Sequence, residues 1–276
     1  MIKKSIKNVI KKLGYQLFRR FYYDFDSDES IRKILSIANI LPKDILVFDV
    51  GANVGQSVDR FRKYLPDAVI YSFEPSPSTF SILRIKKVLD KNLHCFNFGL
   101  GAYERVATFF NNPDSGSNSF YKLNIESAAF KLGATTLALK NQNKTTPKHS
   151  IDFNSAIKCD IKTINSICAE LNITHIEVLK IDTQGFESEV LKGASKILKN
   201  VLIVEAEVMF AGTYEKSSSI SDIETTLQKY GFVLWEIPYI GKFATNSFNR
   251  INFVDIQFVN VELLRKKLSL DNKWMI

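Results

Sequence analysis

The chain alternates short apolar runs with stretches of helical periodicity, and this alternation restricts the fold more than any other feature. The apolar runs predict strands at residues 45–48, 69–73, 93–98, 176–181, 201–204, 232–237 and 253–259. Helical patterns lie between most of these runs, near residues 58–64, 78–90, 184–198 and 220–230. Because crossover helices connect parallel strands and cover both faces of their sheet, we predict an α/β fold with a doubly wound, mostly parallel sheet. The last two strands lack an intervening helix, which predicts an antiparallel edge and an antiparallel C-terminal strand.

The net charge of +8 is concentrated at the N-terminus. Seven lysines and arginines and no acidic residue lie within residues 1–20, so a broad basic face for nucleic acid is not expected. Apolar residues at three- and four-residue steps predict an amphipathic helix over residues 2–21. The apolar stripe of this helix either packs on the rest of the chain or lies on an anionic membrane. The run without acids slightly favours peripheral contact of residues 1–22 with the inner membrane face.

These patterns divide the chain into a basic N-terminal helix over residues 1–26 and one domain over residues 27–276. The domain carries a polar insertion at about residues 103–158. No apolar run is long enough to span a membrane. The cysteines form no CxxC pair and are expected to be free thiols of a cytoplasmic protein. The histidines are too scattered for a zinc site, and we predict no metal.

Four predicted strands end in a carboxylate. These residues are Asp49, Glu74, Asp182 and Glu205, and Glu207 follows Glu205 on the same strand face. In open parallel sheets the ligand crevice lies at the C-terminal ends of the strands. Clustered acids repel one another unless they bind something cationic or rich in hydroxyl groups. Each acid alone suits a helix cap or an exposed strand end, but their shared position predicts a binding site.

The turn after the first strand has a composition suited to close approach of a ligand. Gly51 and Gly55 allow the backbone to approach it, and Asn53 tolerates a positive φ. A GxGxxG dinucleotide motif would require glycine at Asn53 and Gln56, so a pyrophosphate site is poorly specified. Glu74, at the end of the next strand, is suited to bind ribose hydroxyls. S-adenosylmethionine is a nucleoside without pyrophosphate, and its sulfonium would account for nearby acids.

Three segments of this sequence resemble the FkbM-type methyltransferases. They lie at residues 47–56, 72–75 and 179–194, and the likeness extends over roughly residues 45–259. The resemblance implies a class I, Rossmann-like fold and S-adenosylmethionine-dependent O-methylation. Acceptors in this family are often sugar hydroxyls, so a glycan, a glycolipid or a glycosylated small molecule is expected.

The resemblance also assigns roles by position. Together with the composition of the turn, it predicts that the cofactor is bound by Asp49, Gly51, Asn53, Gly55, Gln56, Glu74 and Pro75. Residues 180–187 match the family's KIDxEGxE motif with two departures. Gln184 replaces the usual Glu, and Phe186 stands where many members have His, so a histidine base is unavailable there. A Leu-Asp pair before the fourth strand appears as Ile164-Asn165.

An aliphatic hydroxyl must lose its proton as it attacks a methyl group, which requires a base. Asp182 is the first candidate because it ends the central strand, although it is equally suited to cap the following helix. Glu205 and Glu207 are alternative bases or ligands for sugar hydroxyls. Lys180 either orients a carboxylate or extends along the strand surface. Glu187 is included as a catalytic candidate because the family motif contains it.

Two hypotheses of other classes remain open from the sequence. A nucleotide-sugar or NAD(H)-binding enzyme could use the same scaffold, although the broken GxGxxG motif argues against it. A non-catalytic binding module is compatible with the departures at Gln184 and Phe186. Residues 117–119 of the insertion could cover an acceptor, but a solvated loop is the stronger expectation.

Overall fold

The computed structural model describes residues 27–127, 130–131, 152–210, 212–242 and 251–268. The predicted N-terminal helix and its membrane contact lie outside these ranges, as does the middle of the predicted insertion. None of the helices described is both long enough and apolar enough to cross a membrane.

Strands and helices alternate along the described chain. The strands are β1 (Leu46–Val50), β2 (Val69–Phe73), β3 (Leu93–Phe96), β4 (Gly99–Leu100), β5 (Arg105–Asn111), β6 (Ser155–Lys162), β7 (Ile176–Ile181), β8 (Val201–Met209), β9 (Phe232–Lys242) and β10 (Ile251–Asn260). The helices are α1 (Ser27–Ile37), α2 (Gln56–Tyr64), α3 (Pro77–Leu89), α4 (Ile164–Glu170), α5 (Glu187–Lys192), α6 (Ile220–Gln228) and α7 (Val261–Leu268).

Seven strands form the main sheet, in the order β3-β2-β1-β7-β8-β10-β9. The pairs among β3, β2, β1, β7 and β8 are parallel, and β10 is antiparallel to both β8 and β9. The predicted α/β fold, with its mostly parallel sheet and antiparallel C-terminal strand, is therefore confirmed. At this edge of the sheet β9 is the outermost strand, and β10 lies between β8 and β9.

The main sheet separates two apolar layers, as its alternating side chains require. Phe48 of β1 packs in the layer that contains Val190 of α5 and Ile223 of α6. Val47, its neighbour in sequence, packs in the opposite layer with Phe61 of α2. Three apolar residues of α1 and the residue that follows the helix are also buried in that second layer, namely Ile31, Ile34, Leu35 and Ala38.

The predicted polar insertion contains strands at both of its ends. β5 and β6 pair antiparallel and form a three-stranded sheet with β4. The sequence concealed these strands because polar and apolar residues mix on their exposed faces. In β5, for example, Val106 is exposed whereas Phe109 is buried. In addition, β5 and β6 lie far apart in the sequence, and pairing between distant segments leaves no local sequence pattern that predicts it.

The helix predicted over residues 184–198 is much shorter, because α5 covers only Glu187–Lys192. Its start is delayed by Gln184 and Gly185, whose φ angles are +55° and +101°. At its other end, a Cβ on Gly193 would lie 2.0 Å from the carbonyl oxygen of Gly101. The chain therefore makes a close backbone contact just after α5, at a position that has no room for a side chain.

Candidate active site

A cleft lies at the C-terminal ends of β1, β2 and β7. This is the position where the strand order changes direction between β1 and β7, and open α/β sheets bind ligands there. The turn after β1 and the ends of β2 and β7 form one side of the cleft. The other side is formed by Phe109, Phe120, Ser115, Gly116 and Asn118.

The turn after β1 depends on two residues with a positive φ. Gly51 has φ +81°, and a Cβ there would lie 1.9 Å from the backbone oxygen of Asp182. Asn53 has φ +50°, which asparagine tolerates better than most residues. Gly51 therefore allows the turn to pack directly against the end of β7. Both residues are predicted to bind the cofactor, and both line the cleft.

Glu74 lies across the cleft from the end of β7 and is 5% exposed. Its carboxylate accepts hydrogen bonds from the backbone N–H groups of Asn53 (3.0 Å) and Ser76 (2.8 Å). Burial raises the pKa of Glu74 to about 7, although these two N–H groups oppose the shift. Each oxygen accepts one bond and has a second lone pair. The carboxylate can therefore accept hydrogen bonds from two adjacent hydroxyls.

A buried polar row crosses the sheet before the strands reach the cleft. Adjacent strands place five side chains in register, in the order Ser72, Asp49, Lys180, Glu205 and Gln257. Ser72 donates to Asp49 (3.3 Å), and the Lys180 ammonium lies 3.6 Å from the other Asp49 oxygen. Burial raises the pKa of Asp49, and Lys180 partly offsets that increase. The row supports the cleft and does not line it.

Glu205 is bound within this row by two partners. Its side chain forms an ion pair with Arg60 of α2 (2.5 Å), and its other oxygen accepts from Gln257 (3.1 Å). Glu205 is only 3% exposed. The structure therefore does not bring this predicted base to the cleft.

A second row, on the same sheet face, lies two residues further along the strands. It contains Glu74, Gly51, Asp182, Glu207 and Asp255, and the last two are opposite each other in β8 and β10. Gly51 contributes no side chain to the row, and the backbone of Asp182 occupies the position that a Cβ would take. Burial, together with neighbouring carboxylates, raises the pKa of Glu207 well above its usual range. Burial and neighbouring carboxylates also raise the pKa of Asp255 to about 7.

Asp182 connects the two rows and lines the cleft. One oxygen accepts from the Lys180 ammonium (3.1 Å), and the other accepts from the Gln184 side-chain amide (2.9 Å). The same amide donates to Glu207 (2.5 Å). Burial disfavours the Lys180 ammonium, but Asp182 and Asp49 outweigh this effect and raise the pKa of Lys180. The expected helix-capping role of Asp182 is wrong, because α5 begins at Glu187.

Residues 112–120 cover the cleft and are called the cap. The Ser119 hydroxyl is 2.9 Å from the backbone oxygen of Gln184, and Ser119 is 1% exposed. The Tyr214 hydroxyl lies 2.9 Å from the side-chain oxygen of Gln184 and 3.1 Å from the backbone oxygen of Ser117. The expectation of a solvated loop at residues 117–119 is therefore wrong for Ser119, which attaches the cap to the end of β7.

Phe186 supports the cap through aromatic packing. Its ring centroid is 5.1 Å from that of Phe120 and 5.2 Å from that of Tyr121. Phe186 is only 2% exposed. Phe186, which stands where many family members have histidine, thus makes an apolar contact beneath the cap.

Glu187 stabilises the turn that precedes α5. One of its oxygens accepts from the Thr183 N–H, the Thr183 hydroxyl and the Gly185 N–H, at 3.1, 3.0 and 3.0 Å. The other oxygen is buried and has no hydrogen-bond partner among the described residues. Burial raises the pKa of Glu187 to about 7. This predicted catalytic residue does not line the cleft.

The cleft contains part of the set of residues proposed from the sequence. The predicted residues that line it are Gly51, Asn53, Glu74, Pro75 and Asp182. The predicted residues that do not are Asp49, Gly55, Gln56, Lys180, Glu187, Glu205 and Glu207. Glu207 nevertheless adjoins the cleft through its bond to Gln184.

Sequence reasoning gave no role to several residues around the cleft. These are Phe109, Phe120, Thr183, Tyr214 and Asp255, together with the bridging function of Gln184. Asp255 could have been recognised from the sequence, because it is an acidic residue within an apolar predicted strand. Tyr214 had none, because it lies in an irregular segment. Within the described ranges, no group of three or more His, Cys, Asp and Glu side chains could hold a metal ion.

Comparison with known proteins agrees with this geometry. Residues 49–234 match the family described as the methyltransferase FkbM domain. The chain belongs to the FkbM methyltransferase family. FkbM methyltransferases use S-adenosylmethionine, so the protein is an S-adenosylmethionine-dependent methyltransferase. The resemblance noted in the sequence is thereby confirmed, and the alternatives of an NAD(H) enzyme and a non-catalytic module are set aside.

Three relatives illustrate the range of this FkbM family. The chain is 25% identical over 165 residues to Methyltransferase 1 of Beauveria bassiana. The aligned region covers 55% of this chain and 59% of that protein. It therefore spans less than two thirds of that relative. It is 23% identical to the 2-O-methyltransferase NoeI of Sinorhizobium fredii, covering 74% and 83% of the two chains. It is 26% identical to the 31-O-demethyl-FK506 methyltransferase FkbM of Streptomyces tacrolimicus, covering 70% and 74%.

The raised pKa of Glu187 predicts a pH-dependent contribution to stability. Because its folded-state pKa is near 7, above the unfolded value, this contribution is complete below about pH 4.5 and is lost as the pH rises through 7. Glu187→Gln removes the ionisation and keeps an oxygen for the three donors. Relative to the variant, the wild type should lose on the order of 3 kcal/mol of unfolding free energy between pH 4.5 and pH 8.

Urea denaturation of both proteins at several pH values measures this difference. A constant offset between the two curves is compatible with the prediction, because the Gln amide introduces an unpaired N–H group. Parallel curves across the whole range would contradict it.

Proposed function

We propose that the protein transfers a methyl group from S-adenosylmethionine to a hydroxyl oxygen. The proposed acceptor is a sugar hydroxyl in a glycan, a glycolipid or another glycosylated small molecule. The main support is the row of carboxylates beside the cleft, at Asp182, Glu207 and Asp255. Carboxylates accept hydrogen bonds from hydroxyl groups and are poorly suited to bind an anionic acceptor. The names of NoeI and of the FK506 enzyme also specify methylation at oxygen.

The residues of the cleft are suited to the cofactor. The Glu74 carboxylate has lone pairs for the two ribose hydroxyls, and the turn at Gly51 and Asn53 allows backbone contact. Phe109 and Phe120 provide an aromatic surface against which the adenine ring of the cofactor can pack. The Asp182 carboxylate complements a sulfonium. The cofactor supplies the activated methyl group, and the protein binds, orients and shields the reacting groups.

Asp182 is the proposed base in this reaction. As the acceptor oxygen bonds to the methyl carbon, the carbon–sulfur bond breaks and the hydroxyl proton passes to the Asp182 carboxylate. Lys180 and Gln184 each donate to Asp182, which fixes the orientation of the carboxylate without filling all its lone pairs. Glu207 is the next candidate because it adjoins Asp182. Glu205 is less suitable because Arg60 and Gln257 occupy both of its oxygens.

Loss of the Glu74 carboxylate should weaken cofactor binding. Hydrogen bonds to charged groups contribute about 1.5–3 kcal/mol, so Glu74→Ala should raise the Kd for S-adenosylmethionine about tenfold or more. Titration calorimetry measures this change. Glu170→Ala is the control, since Glu170 is an exposed residue paired with Lys162 and its loss should leave the Kd unchanged. An unchanged Kd in Glu74→Ala would show that the ribose is bound elsewhere.

Loss of the proposed base should slow turnover far more than it weakens binding. Removal of a general base lowers rates by about 10²–10⁴, and Asp182→Asn keeps the shape of the side chain. The acceptor is first identified by transfer of a labelled methyl group into glycan or glycolipid fractions. Single-turnover rates of the two proteins are then compared on that acceptor. If Asp182→Asn retains a near-normal rate, the base is another group, and Glu207→Gln is tested next.

The basic N-terminal segment is proposed to contact anionic membrane, near lipid-linked acceptors. Its acid-free composition supports this, since each basic residue near such a surface contributes about 1 kcal/mol. In sedimentation with phosphatidylglycerol vesicles, the intact protein should bind, and added salt should release it. Deletion of residues 1–22 should abolish the binding. Aggregation of the truncated protein, with no vesicle binding by the intact one, would instead indicate that the segment packs on the domain.

A further inference from the structure

Gln184 lies between the acids of the cleft and the cap, and its contacts determine how its amide is oriented. Its nitrogen is near Asp182 and Glu207, whereas its oxygen is 2.9 Å from the Tyr214 hydroxyl. An ionised carboxylate can only accept hydrogen bonds. The amide NH₂ group must therefore face the two acids, with one N–H for each. The amide oxygen consequently faces Tyr214, whose single O–H proton has two acceptors, this oxygen (2.9 Å) and the backbone oxygen of Ser117 (3.1 Å).

The backbone of Gln184 is held in a conformation that glutamine rarely adopts. Its φ of +55° lies in the left-handed region, which carries a steric cost for residues with a Cβ. The neighbouring contacts maintain this conformation, because the Ser119 hydroxyl lies 2.9 Å from the Gln184 carbonyl oxygen. Strained backbone maintained beside a cleft is typical of functional positions. The conformation directs the side chain toward Asp182 and Glu207.

The side-chain amide of Gln184 is uncharged, whereas the side chains around it include three carboxyl groups. Asp182 and Glu207 both contact it, and Asp255 is opposite Glu207 in β10. The charged groups near these acids are Lys180, which binds Asp182 and Asp49, and Arg60, which pairs with Glu205. An N–H donor stabilises the ionised form of a carboxylate. Gln184 thus favours the ionised form of Glu207 and orients the Asp182 carboxylate, without adding another negative charge.

We propose that Gln184 is a positioning residue that holds Asp182 and Glu207 together as an ionisable pair at the cleft, and that Tyr214 fixes its orientation. This inference rests on the proposed function, in which the cofactor and the acceptor lie beside Asp182. It also connects the cap to the acids, because the Tyr214 hydroxyl lies between Ser117 and Gln184. Gln184 itself transfers no proton and forms no bond to substrate.

The test measures cofactor affinity against pH and does not require an acceptor. S-adenosylmethionine carries a positive sulfonium, whereas S-adenosylhomocysteine has a neutral thioether at the same position. Ionisation of the pair should strengthen binding of the first ligand more than binding of the second. The ratio of the two Kd values should therefore change with pH. Glu74 and Asp255 also contribute to this change, so the part of the midpoint that depends on Gln184 reports the pair. Titration calorimetry between pH 5 and pH 9 provides both values.

Gln184→Glu and Gln184→Leu should both move this midpoint to higher pH. The first adds a negative charge beside the pair and the second removes its two N–H donors, and both changes disfavour ionisation. We expect a shift of about one pH unit or more in each. Tyr214→Phe should shift the midpoint in the same direction by less, because the amide loses the donor that orients it. The matched control is Gln228→Glu, which makes the same charge change on the exposed surface of α6 and should cause no shift.

The outcomes separate this inference from the proposed function. A purely structural role would lower the affinity for both ligands equally at every pH, and that result would overturn the inference. An unchanged midpoint in Gln184→Glu would also overturn it. If the midpoint shifts as expected but no hydroxyl acceptor is ever methylated, the positioning role stands and the proposed acceptor class fails. Thermal unfolding of each variant confirms that the folded protein is compared.

Discussion

The ammonium of Lys180, buried between Asp49 and Asp182, is the interaction on which the site depends. It lies 3.6 Å from one carboxylate and 3.1 Å from the other, and so joins the ends of β1 and β7. Without this cation, the two strands would bring carboxylates together in a region of low dielectric constant, where their repulsion is strongest. Removing one partner of a buried ion pair leaves the other charge uncompensated. Lys180 therefore permits the strand order that creates the cleft, although it does not itself line the cleft.

The parts of the site that the sequence predicted are those determined by local position. Asp49, Glu74 and Asp182 each follow an apolar run, and parallel strands bring such ends to one edge of the sheet. The sequence could not separate the acids that line the cleft from those in the row that supports it. That distinction depends on a shift of two residues along each strand and on partners such as Arg60, which comes from another element.

Contacts between distant segments account for what the sequence missed. Tyr214 approaches Gln184 from 30 residues away, and no periodicity indicates such a pair. The β5–β6 sheet was likewise hidden, because its strands come from opposite ends of a polar segment. Phe186 shows how a family departure can be misread from sequence alone. Its loss of a titratable side chain suggested altered chemistry, whereas its ring packs beneath Phe120 and supports the cap.

The excess of acids at the cleft links binding to protonation. Burial raises the pKa of Glu74 and of Asp255 to about 7, and it raises that of Glu207 well above its usual range. With pKa values of about 7, Glu74 and Asp255 bind and release protons near neutral pH. A sulfonium that enters the cleft favours their ionised forms, and each group that ionises releases a proton. Under the proposed function, cofactor affinity would therefore depend on pH through acids that surround Asp182, although the proposed base is Asp182 itself and not one of them.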